Sequence, residues 1–344
     1  MEAKKRRYLT IIVAALFLLL LSIAYWLMLP LWCAYRANVE QEIVLKVPQN
    51  ATTEEVLAML EPNLKSSFTL KQALHIKSLG EQVRAGYFRF AKGTDNITII
   101  RRLQYNHQSP YKLVLSGNIR GMQRLAALLG ERLMADSTAF ADYFSSPDVL
   151  QLCNLNREEL PSLILPNTYE VWWTISPKGF VERMIREHKA FWNSARLAKA
   201  EALGLTPAEV STLASIVCEE SNKRAELPII AGVYINRLKR GMKLDADPTV
   251  KFAVGDFTLK RILYKHLSTE SPYNTYLHKG LPPGPITIPS IEGIDAVLNY
   301  KEHNYLYFCA SEALDGTHRF AQTLSEHNAN AARYRAELNK RRIL

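Results

Sequence analysis

The N-terminal run constrains the architecture more than any other feature. MEAKKRRY carries Lys4, Lys5, Arg6 and Arg7, and no charged residue follows from Tyr8 to Tyr35. About twenty residues at about 1.5 Å each cross the hydrocarbon core of a bilayer. A transmembrane helix is therefore expected over residues 8–32, behind a basic tail at residues 1–7. Trp26 and Trp32 lie towards its far end, where interfacial aromatics belong. The basic flank is expected to stay in the cytoplasm and the rest of the chain to lie outside. A cleaved signal peptide is the competing reading. The apolar run is too long for a signal h-region, however, and no small-x-small cleavage site follows it. Cys33 invites a lipidated N-terminus, but the preceding Trp32 is too bulky for that processing.

The remaining chain has the makings of a packed core. Of 344 residues, 48% are hydrophobic and 22% charged, which excludes a disordered chain and suits two modest domains. The net charge of +10 favours contact with something anionic, whether nucleic acid, lipid headgroups or an acidic polymer. The basic residues are scattered and no aromatic-plus-basic RNA motif occurs, so no nucleic-acid partner is expected. Cys33, Cys153, Cys218 and Cys309 are widely spaced without a CxxC pair, and the histidines show no HExxH-type spacing. Neither a disulfide scaffold nor a metal or other cofactor is expected.

The fold class read from the pattern is α+β. Residues 42–104 read as a small module: a strand at Ile43–Pro48, helices at Thr53–Leu60 and Phe68–Ser78, an aromatic strand GYFRF at Gly86–Phe90, and a last helix through Leu103 behind Thr94-Asp95-Asn96. A polar break, YNHQSP, separates it from a larger region at 111–344. There a strand is expected in YKLVLSG, a helix over Gly121–Met134, an extended aromatic segment in PSLILPNTYEVWWTIS and one long charged helix from Pro177 to about Leu203.

The chemistry concentrates in LASIVCEES, residues 213–221. Thr206-Pro207-Ala208-Glu209 is a strong helix start, with a capping hydroxyl, a proline in the first turn and an acid three residues on. At 100° per residue, Leu213, Ile216, Val217 and Glu220 share one stripe, while Glu219 points away and is expected to be solvated. A carboxyl on an apolar face takes a higher pKa, as a general acid at neutral pH needs. Two readings stay open on geometry alone: a functional acid, or a residue at a fraying helix end that reaches water or pairs with Arg224.

From GYFRF onward the chain resembles the endolytic murein transglycosylases of the YceG-like family. The resemblance is carried, in order, by GYFRF, LPNTYEVWW, LASIVCEES, INRLKRGMKLDADPTV, SPYNTYLHKGLPPGPITIPS, YLYFCA and HRFAQTLSEHN. It implies a single membrane span, a LysM-like module and a catalytic region outside the plasma membrane. It also implies peptidoglycan glycan strands as substrate and work beside peptidoglycan synthases, the penicillin-binding proteins. The family's catalytic glutamate falls on Glu220, directly before Ser221; where many members carry a further acid two positions earlier, this chain has Cys218. The resemblance further implies that Glu220 acts alone, as acid and then as base, to leave a 1,6-anhydro-MurNAc end.

The other motifs read physically as a glycan cleft. Tyr273, Asn274, Thr275 and Tyr276 offer hydroxyls, an amide and rings, the mixture that sugars recognise; Asp247, Thr249 and Asn236 are further candidates for substrate binding. Arg237 and His318 are weaker candidates, and His327 and Asn328 are expected to fix C-terminal packing. Leu281-Pro-Pro-Gly-Pro285 is a stiff turn suited to a wall. Two rival functions remain: a hydrolytic muramidase with Asp247 as second acid, and a non-catalytic wall-binding scaffold that recruits synthases.

Overall fold

The computed structural model describes residues 1–117, 119–259 and 261–341 as a mixed α+β chain. The end of the region expected at 111–344 thus lies outside the described residues. Contacts divide the chain into two compact units, Met1–Leu113 with Glu170–Ile175, and Val114–Tyr169 with Ser176 onward.

The first unit opens with α1 (Glu2–Tyr35), an apolar helix long enough to cross a membrane. Every residue of it through Met28 is exposed, whereas Cys33 and Ala34 in its last turn are fully buried. They join the core beneath a two-stranded sheet. In it β1 (Ile43–Val47) runs antiparallel to β2 (Gly86–Phe90), with Ile43 opposite Phe90 and Val47 opposite Gly86. The alternation of period two turns Ile43, Leu45 and Val47 inward and Val44 and Lys46 outward.

Three short helices complete the unit: α2 (Thr53–Leu60), α3 (Ser67–Ala73) and α4 (Asn96–Gln104). Each has a side-chain N-cap, from Thr52, Ser66 and Asp95 respectively. The helix expected to reach Ser78 stops at Ala73, because the His75 and Ile76 amides bond three residues back rather than four and tighten the chain into a turn. Two buried asparagines lock the centre. Asn38 Nδ2 donates to Asn96 Oδ1 at 2.7 Å, and Asn96 Nδ2 donates to the Cys33 carbonyl at 2.9 Å.

The chain passes from one unit to the other within β3 (Tyr111–Val114) and β4 (Thr168–Val171). The segment expected to be extended, from Pro161 on, begins instead within a short 3-10 turn, Leu160–Leu163. The second unit is mostly helical. Its α5 (Gly121–Arg132), α6 (Ser137–Ser145), α7 (Pro147–Cys153) and α8 (Pro177–Phe191) surround a cluster of Phe140, Phe144 and Phe180 rings. The single helix expected over 177–203 is two. Asn193 accepts the Arg196 amide at 3.1 Å and caps α9 (Ser194–Leu203), a local bond that competes with continuation of α8.

The centre of the unit is α10 (Pro207–Glu220), packed by α11 (Leu227–Lys239) and α14 (Ile291–Leu298). Between these last two lie α12 (Asp247–Val254) and the one-turn α13 (Tyr264–Leu267). Leu213, Ile216, Val217, Ile230, Tyr234, Ile294 and Val297 form the heart of the core. The chain closes with an antiparallel hairpin, β5 (Tyr307–Ala310) and β6 (His318–Ala321), backed by α15 (Leu324–Lys340).

Candidate active site

The site grows from the C-terminal end of α10. Its start follows the sequence: Thr206 accepts the Glu209 amide, Glu209 accepts the Thr206 amide, and Pro207 occupies the first turn. Its middle differs from the single apolar stripe expected. Every residue from Val210 to Val217 is buried, and the Ser211, Thr212 and Ser215 hydroxyls donate to carbonyls of the same helix. This is a central helix, buried all round, and only its last turn opens.

Two acids stand there in different settings. Glu219, expected to be solvated, is instead held by Arg120 at 2.8 Å, with its side chain 17% exposed. Arg224, the cation that could have paired with Glu220, pairs with Glu292 at 3.4 Å instead. Its Oε1 accepts a hydrogen bond from the Tyr234 hydroxyl at 2.6 Å. Desolvation pushes the Glu220 carboxyl from the ordinary value of 4.5 up to about 7; the Tyr234 bond works against this, and the nearby Asp247 charge adds to it. Burial, reinforced by Glu220, in turn holds the Tyr234 hydroxyl well above the usual phenol range.

Glu220 lines a cavity of about 450 Å³ with Tyr234, Asp247, Tyr276, Phe308 and His318. Tyr276 donates to Asp247 Oδ1 at 2.8 Å, so a second carboxylate is fixed on the same wall. Arg237, also at the cavity, is buried and donates to the Leu306 and Leu244 carbonyls and to Asp245, tying α11 to the hairpin and to the loop before α12.

Of the residues expected to bind substrate, Asp247 and Tyr276 line this cavity, as do the weaker candidates Arg237 and His318. The others are turned to neighbouring chain segments. Asn274 is fully buried, with Nδ2 donating to the Leu267 and Thr269 carbonyls and Oδ1 accepting the Tyr276 amide. Thr275 accepts the Ala246 amide and meets the Thr249 hydroxyl at 2.9 Å, both threonines being buried. Asn236 donates to the His303 and Tyr305 carbonyls. The Tyr273 ring packs tilted against Phe252, with centroids 4.6 Å apart. Asn274, Thr275 and Thr249 thus brace the loop that delivers Tyr276, while Asn236 holds the segment leading into β5. Sequence reasoning missed Tyr234, which sits in the apolar run of α11 and reads there as an ordinary core aromatic. Among the described residues no group of three His, Cys, Asp or Glu side chains is gathered to hold a metal.

One carboxyl with its pKa raised by burial, bonded to a phenol and facing a polar and aromatic cavity, is a group chemically able to give and take a proton. The particular family follows from comparison with known proteins: residues 45–333 match the YceG-like family, and the chain belongs to it. An endolytic murein transglycosylase of Bacillus subtilis is 27% identical over 314 residues, covering 86% of each chain. One from Streptococcus pneumoniae is 24% identical over 329 residues, covering 87% of this chain but 59% of that longer protein. A crystal structure of a YceG-like protein from Listeria monocytogenes shares the fold, with a TM-score of 0.54 at 23% identity over 84% of this chain and 99% of the other.

Proposed function

We propose that this chain is a membrane-anchored lytic transglycosylase. It cuts peptidoglycan glycan strands within their length, between MurNAc and GlcNAc, and leaves 1,6-anhydro-MurNAc ends. The observation that carries this reading is the Glu220 carboxyl, held at about 7 in a cavity and bonded to Tyr234. At neutral pH such a group is part protonated, and can give a proton to the bridging oxygen and take one back as a carboxylate. The names of the relatives support the substrate. Asp247 and Tyr276 form the wall a sugar would meet, with Tyr273, Asn274, Thr275 and Thr249 holding that wall in place and Asn236 holding the segment that leads into the facing hairpin.

In this reading α1 crosses the inner membrane over residues 8–32 with residues 1–7 in the cytoplasm. Residues 42–104 are a LysM-like module, and the region from 111 onward is catalytic and periplasmic. The anchor keeps the enzyme beside newly made strands and the synthases that make them. The scaffold reading is disfavoured, since an uncompensated buried carboxyl destabilises a protein that has no use for it. The hydrolytic reading keeps a specific observation in its favour, because Asp247 lies in the same cavity and raises the Glu220 pKa.

The test uses the full chain in detergent with purified peptidoglycan, reading new ends by mass spectrometry. Anhydro ends that vanish in Glu220→Gln and persist in Glu219→Gln are expected. Reducing ends instead would assign a hydrolase using Asp247. No new ends from folded protein would leave the scaffold.

A further inference from the structure

Two protons move in the proposed reaction, and the cavity holds a second group able to carry one. His318 opens β6 and lines the cavity with Glu220, its side chain 13% exposed. Glu226, just before α11, is equally enclosed and grips it twice. Glu226 Oε1 accepts the His318 backbone amide at 2.8 Å, and Oε2 faces Nδ1 at 2.8 Å. A carboxylate only accepts hydrogen bonds, so Nδ1 carries a proton, and in the neutral ring Nε2 is the nitrogen with a lone pair. Among the described residues, nothing bonds to Nε2.

The placement relative to Glu220 is fixed on two sides. The Ser221 hydroxyl, next in sequence to Glu220, donates to Glu226 Oε2 at 3.2 Å. The Phe308 ring packs edge-on against both Tyr234 and His318, with centroids 5.9 Å and 5.4 Å away. One ring thus sets both the phenol that holds Glu220 and the imidazole. Glu220 has one oxygen engaged by Tyr234, which leaves one to serve both proton transfers if it acts alone. An imidazole with its tautomer fixed by a buried carboxylate and its other nitrogen open to a reactive cavity is the arrangement of a general base.

We propose that His318 is the base that takes the proton of the MurNAc 6-hydroxyl, with Glu226 as its positioning residue. This rests on the transglycosylase reading and divides its two transfers between two groups. Glu220 gives its proton to the bridging oxygen as the bond from C1 to that oxygen breaks. The 6-oxygen bonds to C1, and its proton passes to His318 Nε2. The products are an anhydro end, a free 4-hydroxyl, a Glu220 carboxylate and an imidazolium paired with Glu226. Return of that proton to Glu220 through the cavity restores both groups.

A merely structural role, with Glu226 and His318 stitching the hairpin to the loop after α10, is separable by choice of variant. In His318→Asn the amide nitrogen replaces Nδ1 as donor to Glu226, while Nε2 is gone. The full chain in detergent is assayed on soluble uncrosslinked glycan strands, counting anhydro ends. The expected result is a kcat lower by at least about 100-fold with KM little changed. Glu226→Gln, which lets the amide donate to Nδ1 and reverses the tautomer, should also lower kcat at constant KM. Imidazole added to His318→Gly should restore part of the lost rate, and this arm stands even if His318→Asn folds poorly. The proposal is overturned if His318→Asn keeps kcat within about threefold of the parent, if only KM moves, or if folded His318→Gly ignores imidazole. Failure of the underlying reading looks different: the parent chain itself would give no anhydro ends.

Discussion

Glu220 is where the physics of a single residue decides most. Its pKa is raised from 4.5 to about 7, so the folded chain favours the protonated form. The sign follows from linkage: this contribution to stability is complete below pH 4.5 and is lost as pH rises through about 7. The loss amounts to about 3 kcal/mol. Glu220→Gln should therefore melt higher than the parent at pH 8 and at nearly the same temperature at pH 4.5; equal melting at both would show that the carboxyl is not desolvated. The acid must be protonated to work, so kcat/KM should fall above pH 7. Tyr234→Phe removes the bond that pulls the Glu220 pKa down. Its alkaline limb should move to higher pH while kcat drops, and an unmoved limb would separate the phenol from the acid. The two acids and their different fates were half legible in the sequence. An acid ending an apolar run stands out in one dimension, as Glu220 does. The partner of Glu219 is 99 residues away, and the sequence offers nothing to select Arg120. Asn274 misled in the opposite way: a polar side chain in a loop looks available, but folding turns it onto the loop's own carbonyls.

Helices and strands were legible wherever a local signal set them. The caps of α2, α4 and α10 and the alternation of β1 are written in neighbouring residues. The break between α8 and α9 depends on one asparagine side chain turning back to an amide three residues on, a bond that competes weakly against a helical pattern otherwise continuous. The all-round burial of α10 was not legible, since its buried serines and threonine carry polar atoms and are satisfied only by their own helix. Packing between elements yields a further prediction. α14 approaches α10 at Gly293, where an added Cβ would lie 2.2 Å from Cys218 Sγ, two residues before Glu220. Gly293→Ala must displace the Cys218 side chain from its place beside Ser290 and should cost about 1–3 kcal/mol where the thiol has no other room. If the last turn of α10 moves with it, activity should fall further than the lower melting temperature accounts for. A variant that melts lower but retains full kcat at a temperature where it is folded would show that the end of α10 tolerates the shift.

At the scale of the whole molecule, the long apolar helix α1 and the small unit behave as one piece. Here the last turn of α1 enters the core: Cys33 and Ala34 are fully buried, and the Cys33 carbonyl accepts from Asn96, itself fully buried and bonded to Asn38. A chain that begins at Pro30 keeps this turn, whereas one that begins at Ala37 loses it. The shorter chain leaves Asn96 Nδ2 to the Thr69 hydroxyl, at 3.2 Å, and opens the packing of α1 against α3 and α4. The lost buried hydrogen bond alone costs about 0.5–1.5 kcal/mol, and the lost apolar contacts add to it. Amide hydrogen exchange in α3 and α4 should therefore be much faster in the chain from Ala37 than in the chain from Pro30, while the amides of α10 and α11 exchange alike in both. Equal protection in α3 and α4 would mean that α1 hangs free of the small unit. With α1 in a bilayer, as proposed, the expected difference would mean that the small unit has no slack from the bilayer surface, so that whatever it binds is met within a few residues of the point where the chain leaves the lipid.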